Sequence, residues 1–190
     1  MKIRRLVITM TALLYSMMSV SLEIDKAASV SDATTSVQGV NHVGLSVRNM
    51  DKTLAFYLEA TGFELLSRES MSGNAEADKL YGAEGLVYER AVIKAPNMLF
   101  ELIEFKRNHD VPVMKTPVQG PGMTHPCFPS SSKDPGYDKF VAAGLDVLSR
   151  GSIPVDLGGY GVTYAYGYDP EGNMLEMEQM DRELLAKSGY

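Results

Sequence analysis

A heptapeptide pattern that occurs twice constrains this chain more than any other feature. Gly62-Phe63-Glu64-Leu65-Leu66-Ser67-Arg68 recurs as Gly144-Leu145-Asp146-Val147-Leu148-Ser149-Arg150, with Gly, an apolar residue, an acid, another apolar residue, Leu, Ser and Arg in register. A histidine precedes each copy, His42 by 20 residues and His125 by 19. Downstream, Asn97-Met98-Leu99-Phe100-Glu101 is echoed by Asn173-Met174-Leu175-Glu176, one residue shorter. Three matches in the same order describe a duplication. Each copy is then one supersecondary unit that needs the other to cover its apolar face.

Both copies follow one plan. Val40 to Val47 alternates as a strand, with Val43, Leu45 and Val47 on one face and His42, Gly44 and Ser46 on the other. Asn49 is placed to cap a helix through Thr61, and Gly62 to end it in the left-handed conformation. Strands are expected at about 63–69, 86–94 and 97–106, with Ser72–Gly85 as a long loop or short helix. In the second copy a strand near 123–128 leads to Asp134-Pro135, a cap and first-turn pair, and a helix to Gly144. Strands follow at about 145–150, 161–168 and 173–180, the last two joined by the turn Asp169-Pro170-Glu171-Gly172. Pro126 and Pro129 make the first strand of this copy irregular and suit an edge or a bulge. The fold class is therefore α+β. Two βαβββ modules, residues 38–106 and 123–180, are joined by a proline-containing linker at 107–122 and followed by a tail at 181–190.

The N-terminus stands apart from this plan. A basic start (Lys2, Arg4, Arg5) precedes fifteen uncharged residues, Leu6–Val20, and then small residues. That is the layout of a secretory signal peptide over residues 1–21, cut near Ser21 or near Ala27–Ala28, with an uncleaved anchor as the alternative. Residues 22–37 read as a flexible lead-in. The folded part is expected to be exported, periplasmic or secreted, with no stable membrane insertion after cleavage. Loss of three basic residues would take the formal charge from −6 to −9. No Lys/Arg stretch could track phosphates, which argues against nucleic acid as a partner. One cysteine excludes an intrachain disulfide framework and a cysteine-rich zinc site, and Cys127 itself reads as a small packing residue.

The repeated His and Glu carry the chemistry. Glu101 shares its strand face with Leu99, Ile103 and Phe105, where a carboxylate is costly unless paired or bound to a cation. Glu176 lies between Met174 and Glu178 on its face. If the modules pack about a pseudo-two-fold axis, His42 and Glu101 meet His125 and Glu176. This sulfur-free set suits one divalent metal, Zn, Ni, Mn, Fe or Co, with positions left for water or a small-molecule substrate. Tyr160, Tyr164, Tyr166 and Tyr168 alternate onto one face and are candidates to line a cup, or simply to pack the sheet.

Asn41-His42-Val43-Gly44-Leu45-Ser46-Val47, Phe56-Tyr57 before Thr61-Gly62-Phe63, and Asp169-Pro170-Glu171-Gly172-Asn173-Met174-Leu175-Glu176 resemble the vicinal oxygen chelate superfamily (glyoxalase, bleomycin resistance protein, extradiol dioxygenase) over about residues 38–180. The resemblance implies paired, curled mixed sheets forming a cup around a metal, within one chain or between two copies of a homodimer. It places His42, Glu101, His125 and Glu176 on the ligand positions, most like glyoxalase I. It further implies a metal-dependent lyase or isomerase that stabilises an enediolate, with Glu176 as base and Glu101 as its pseudo-symmetric counterpart. Two alternatives stand beside this reading: an extradiol-type Fe(II) dioxygenase, and a non-catalytic small-molecule binding or resistance protein. The dioxygenases use a further catalytic histidine before the closing turn. Asp156–Tyr168 contains none, the third histidine being His109 in the linker, although Tyr166 stands where those enzymes carry a tyrosine. Pro126-Cys127-Phe128-Pro129 departs from the regular strand the family usually shows.

Overall fold

The computed structural model describes residues 39–187 apart from 109–110, 134, 150–153 and 158–160. The leader at 1–21, the whole lead-in at 22–37, His109, Asp134, Arg150 and Tyr160 lie outside the described residues. In the first module, β1 (His42–Ser46) leads to α1 (Met50–Thr61), β2 (Glu64–Ser72), α2 (Ala75–Tyr81), β3 (Val87–Lys94) and β4 (Leu99–Phe105). The second contains β5 (Cys127–Ser131), α3 (Gly136–Ala142), β6 (Asp146–Val147), β7 (Val155–Asp156), β8 (Val162–Tyr168) and β9 (Met174–Met180), followed by α4 (Arg182–Lys187). No helix among the described residues is long and apolar enough to cross a membrane.

The two sheets repeat one topology. Their strand orders are β1-β4-β3-β2 and β5-β9-β8-β6, with β7 also paired to β8. In each, the first strand runs parallel to the last and the remaining pairs are antiparallel. The duplication read from the sequence is thus a duplication of βαβββ modules.

Local chemistry explains the elements. Asn49 accepts from the Lys52 N–H at 2.9 Å, and Gly62 closes α1 at φ +69° with its N–H on Leu58. Asn74 caps α2 in the same way, accepting from Glu76 and Ala77. The second module is less regular. Its first strand begins at Cys127 rather than 123, because Pro126 has no N–H for the ladder; its carbonyl still accepts from the Glu176 N–H at 3.1 Å. Pro129 is tolerated because β5 is an edge strand, as the sequence suggested. Helix α3 has no side-chain cap bond at Pro135; instead the Ser130 hydroxyl accepts from the Gly136 N–H at 3.0 Å. The strand expected over 145–150 shrinks to Asp146–Val147, after which the Leu148 and Ser149 N–H groups both point at the Tyr166 carbonyl. Beside it, a Cβ on Gly167 would lie 2.6 Å from Leu145, so β8 can approach this segment only with glycine there. The tail forms a short helix, α4.

One core serves both modules. Phe56, Tyr57 and Leu54 from α1, Phe100 and Leu102 from β4, Phe128 from β5, Phe140 from α3, and Leu175 and Met177 from β9 pack in a single buried cluster. The Phe100 and Phe128 rings stack at 5.4 Å, and Phe128 meets Phe140 at 5.0 Å. Such pairs add about 0.5–1.5 kcal/mol each beyond their buried area. Polar contacts fix the join. The buried Tyr57 hydroxyl donates to Asp169 at 2.8 Å, and Arg48 Nε donates to Glu171 at 2.9 Å. Helix α1 of the first module is thereby tied to the closing turn of the second.

Strand alternation then decides which faces remain free. The core takes Val43, Leu45, Phe100 and Leu102 from one sheet and Phe128, Leu175 and Met177 from the other. The residues between them, His42, Gly44, Leu99, Glu101, Cys127, Met174, Glu176 and Glu178, face outward. Each sheet therefore turns one face to the shared core; the other face of the first sheet is partly covered by α2, where Ala77, Leu86, Tyr88 and Ile103 form a second buried cluster, and on the second sheet Met174 is buried as well.

Candidate metal centre

On the open face of the first sheet, His42 begins β1 and Glu101 lies opposite Gly44 on β4. His42 Nε2 stands 3.8 Å from Glu101 Oε2, with the His42 side chain half exposed. The other Glu101 oxygen accepts from Arg90 Nε, which projects from β3 on the same face. Glu101 is therefore already neutralised by a guanidinium. The sequence argument for a cation beside Glu101 is met here by Arg90, a residue it did not single out. Glycine at 44 leaves ordinary van der Waals room: a Cβ there would lie 3.7 Å from Glu101 Oε2.

The open face of the second sheet is built differently. His125, just before β5, places Nε2 3.1 Å from Glu176 Oε2. Its Nδ1 lies 2.8 Å from the Thr124 hydroxyl, and its ring meets Tyr166 edge-on at 5.1 Å. Both ring position and tilt are thus held by neighbours, the arrangement that orients a ligating imidazole. The Tyr166 hydroxyl donates to Glu176 Oε1 at 2.6 Å. Burial first, and this bond second, push the Tyr166 phenol above its ordinary pKa, so it stays a donor to the carboxylate. Glu176 is 9 % exposed.

Two further donors join this pair. Cys127 sits opposite Glu176 in the β5–β9 register, and Glu178 follows on the same face. One donor atom each from Cys127, Glu176 and Glu178 lies within 4.8 Å of the other two. Partial burial, then the Glu176 and Glu178 charges, push the Cys127 thiol well above its usual range. Among the described residues no lysine or arginine pairs with Glu176 or Glu178. Cys127 lies outside the shared core, partly exposed and opposite Glu176, rather than packed within it. The signal for it was the two-residue spacing from His125, which puts both on one face of a strand.

The structure thus brings His42 to Glu101 and His125 to Glu176. It does not bring the two pairs together within one chain: the Cys127–Glu176–Glu178 group is the one cluster of three or more such donors found among the described residues. Of the tyrosines, Tyr164, Tyr166 and Tyr168 share the open face as expected. Tyr164 and Tyr166 are half-buried and look out, whereas the linker covers Tyr168. The Tyr168 hydroxyl donates to the Thr116 carbonyl at 3.3 Å, and Lys115 Nζ lies 5.0 Å from its ring centre. A cavity of about 510 Å³ lies elsewhere, on the core side between the modules, where Val43, Phe63, Met98, Phe128 and Phe140 line it without any of the four His and Glu residues.

A divalent cation fits the second sheet's donors. Carboxylate oxygens of Glu176 and Glu178 and the Cys127 sulfur lie close together there, His125 reaches Glu176, and among the described residues no lysine or arginine balances the two carboxylates.

Comparison with known proteins agrees with this architecture. The model of the Glyoxalase/Bleomycin resistance protein/Dioxygenase superfamily matches residues 39–177. A glyoxalase family protein from Bacillus cereus superposes with a TM-score of 0.63 at 19 % identity, covering 78 % of this chain and 98 % of that one. A glyoxalase family protein from Enterococcus faecalis gives 0.53 at 19 % identity, with 76 % and 99 % covered. The fosfomycin resistance protein FosX from Listeria monocytogenes, also known in complex with Mn(II), gives 0.51 at 15 % identity, with 77 % and 97 % covered. No curated protein matches the sequence.

Proposed function

The chain belongs to the glyoxalase/bleomycin resistance protein/dioxygenase superfamily, and from that premise we propose that it is an exported, metal-dependent lyase or isomerase of the glyoxalase type. The observation that carries the reading is the pair of His/Glu couples at matching positions, each on the sheet face turned away from the shared core. Neither couple alone fills the coordination sphere of a five- or six-coordinate metal. In this reading the centre is completed between two copies, His42 and Glu101 of one facing His125 and Glu176 of the other, in a symmetric dimer with two such centres.

A divalent cation bound there supplies Lewis acidity to a carbonyl oxygen, which makes the neighbouring C–H acidic. The residues do the rest. Glu176 is the base, its Oε1 held by Tyr166 and its Oε2 directed to His125, so the carboxylate is aimed before substrate arrives. Tyr164 and Tyr166 offer the substrate an aromatic wall on the same face. Arg90 holds the Glu101 carboxylate, and its guanidinium would be available to an anionic substrate group if Glu101 turned to a cation. The signal peptide at 1–21 puts this chemistry outside the cytoplasm, away from glutathione conjugates, and favours a small α-hydroxyketone or related carbonyl substrate.

The test is Glu176→Gln, which keeps an oxygen ligand and removes the base. Metal should stay bound while solvent-deuterium exchange into an α-hydroxyketone or hemithioacetal falls by roughly a hundredfold or more. Oxygen uptake without deuterium exchange would assign the protein to the dioxygenases. Ligand affinity unchanged by Glu176→Gln, with no exchange in the wild type, would make it a binding protein.

A further inference from the structure

We propose that the cavity of about 510 Å³ between the modules is a second binding site, for a small aromatic carboxylate whose ring sits among phenylalanines and whose acid group meets Lys139 at the mouth. The site shares none of the four His and Glu residues and goes beyond the metal-dependent reading above.

A difference between the two modules builds the cavity. Helix α1 carries Thr53 four residues and Tyr57 eight residues after its cap, Asn49; at the same distances from Pro135 the α3 segment carries Lys139 and Ala143. On the α1 side Tyr57 donates to Asp169 and Thr53 to Glu171, both on the closing turn of the second module. The linker seals that corner, since a Cβ on Gly172 would lie 2.6 Å from the Val113 side chain. On the α3 side the matching turn, Ala95–Met98, contains no acid, and Ala143 has no ring to reach it. The space that a tyrosine and the linker fill in one half is hollow in the other.

The wall defines what fits. Phe63, Phe100, Phe128 and Phe140 line the cavity together with Val43 and Met98. Such walls take a flat ring by stacked and edge-on contacts, and a cavity of this size holds a small organic molecule. The hydroxyls in the wall are spent on the protein itself. Thr61 donates to the Tyr57 carbonyl and Ser130 to the Glu178 carbonyl, while Ser131 accepts from the Lys133 N–H. A polyhydroxylated ligand would find few partners there. Among the described residues Lys139 is the one charged side chain of the lining, and no carboxylate accompanies it. Lys139 is exposed, so its methylenes cover the wall while its ammonium stays at the solvent edge, where a carboxylate entering ring-first comes to rest.

The experiment titrates the full chain with 2-naphthoate, and with 2-naphthamide as its neutral counterpart, by calorimetry with and without a chelator. The wild type is compared with Ala60→Leu, Lys139→Gln and Lys139→Glu. One naphthoate per chain is expected, at an affinity the chelator does not change. Ala60 lines the cavity, so Ala60→Leu should weaken both compounds by about tenfold or more, at an unchanged Tm. Lys139→Gln should weaken the acid by up to about fivefold, the range of an exposed ion pair, and leave the amide unaffected; Lys139→Glu should weaken the acid further. The Lys139 variants alter only an exposed side chain and carry the test if Ala60→Leu fails to fold. A wild type that binds no naphthoate would overturn the proposal; if Lys139→Glu also dissociates a dimer of that chain, the cavity belongs to a second copy. Binding that the chelator abolishes would put the acid on a metal and overturn it, as would binding that a folded Ala60→Leu retains. An acid-to-amide affinity ratio that neither Lys139 variant shifts would overturn it as well.

Discussion

The His42–Glu101 couple and the His125–Glu176 couple occupy the same place in two copies of one module, yet their surroundings are opposite. Glu101 rests against Arg90, and its histidine stands 3.8 Å away, half exposed. Glu176 is buried among a tyrosine hydroxyl, an imidazole, a thiol and a second carboxylate. The duplication conserved the skeleton of the site and let the neighbours diverge. One half is balanced without a metal; the other carries negative charge and oriented lone pairs that a cation would satisfy. We read the second module as the half that binds first and does the chemistry, and the first as the half that completes it.

That inequality can be broken by substitution. The largest difference is expected between the two glutamates. Glu176→Gln should lower turnover roughly a hundredfold, whereas Glu101→Gln should cost closer to tenfold. Equal losses would make the halves equivalent. Among the histidines, His125→Ala should weaken metal binding by more than His42→Ala, and His109→Ala should leave it unchanged; equilibrium dialysis reads all three. Tyr166→Phe removes the hydroxyl that holds Glu176 and should weaken metal binding about 10–100-fold, the usual range for a group that orients a ligand. The smallest effect concerns Arg90. Its ion pair with Glu101 is partly exposed and contributes at most about 1 kcal/mol, so Arg90→Met should tighten metal binding by no more than about fivefold. A loss on that change would show that Arg90 supports the site rather than competing for Glu101.

Much of this was legible in the sequence because its cause is local. The βαβββ order follows from alternation, the Asn49 and Gly62 caps and the repeated heptapeptide; the faces of His42, Glu101, Glu176 and the tyrosines follow from the two-residue period of a strand. What escaped depended on neighbours across strands. Arg90 reaches Glu101 from β3, and no spacing in the sequence announces that pairing. Cys127 was set aside as packing because a lone cysteine usually is, and only the β5–β9 register puts it opposite Glu176. The start of β5 was placed too early because alternation near residue 123 does not register the N–H missing at Pro126. The meeting of the two couples was expected from pseudo-symmetry alone. In the chain, the helix-covered faces took the shared core through Phe100 and Phe128, and the couples were left looking outward.

The claim that a complete centre spans two copies is tested most directly by complementation. His42→Ala and His125→Ala chains are co-refolded in equal amounts, and high-affinity metal sites per chain are titrated. In a mixed dimer one centre lacks both histidines and the other has both, so random pairing should restore sites of full wild-type affinity to about one quarter of the wild-type number, against none of that affinity for either variant alone. A mixture that binds no better than its two components kept apart would contradict the account.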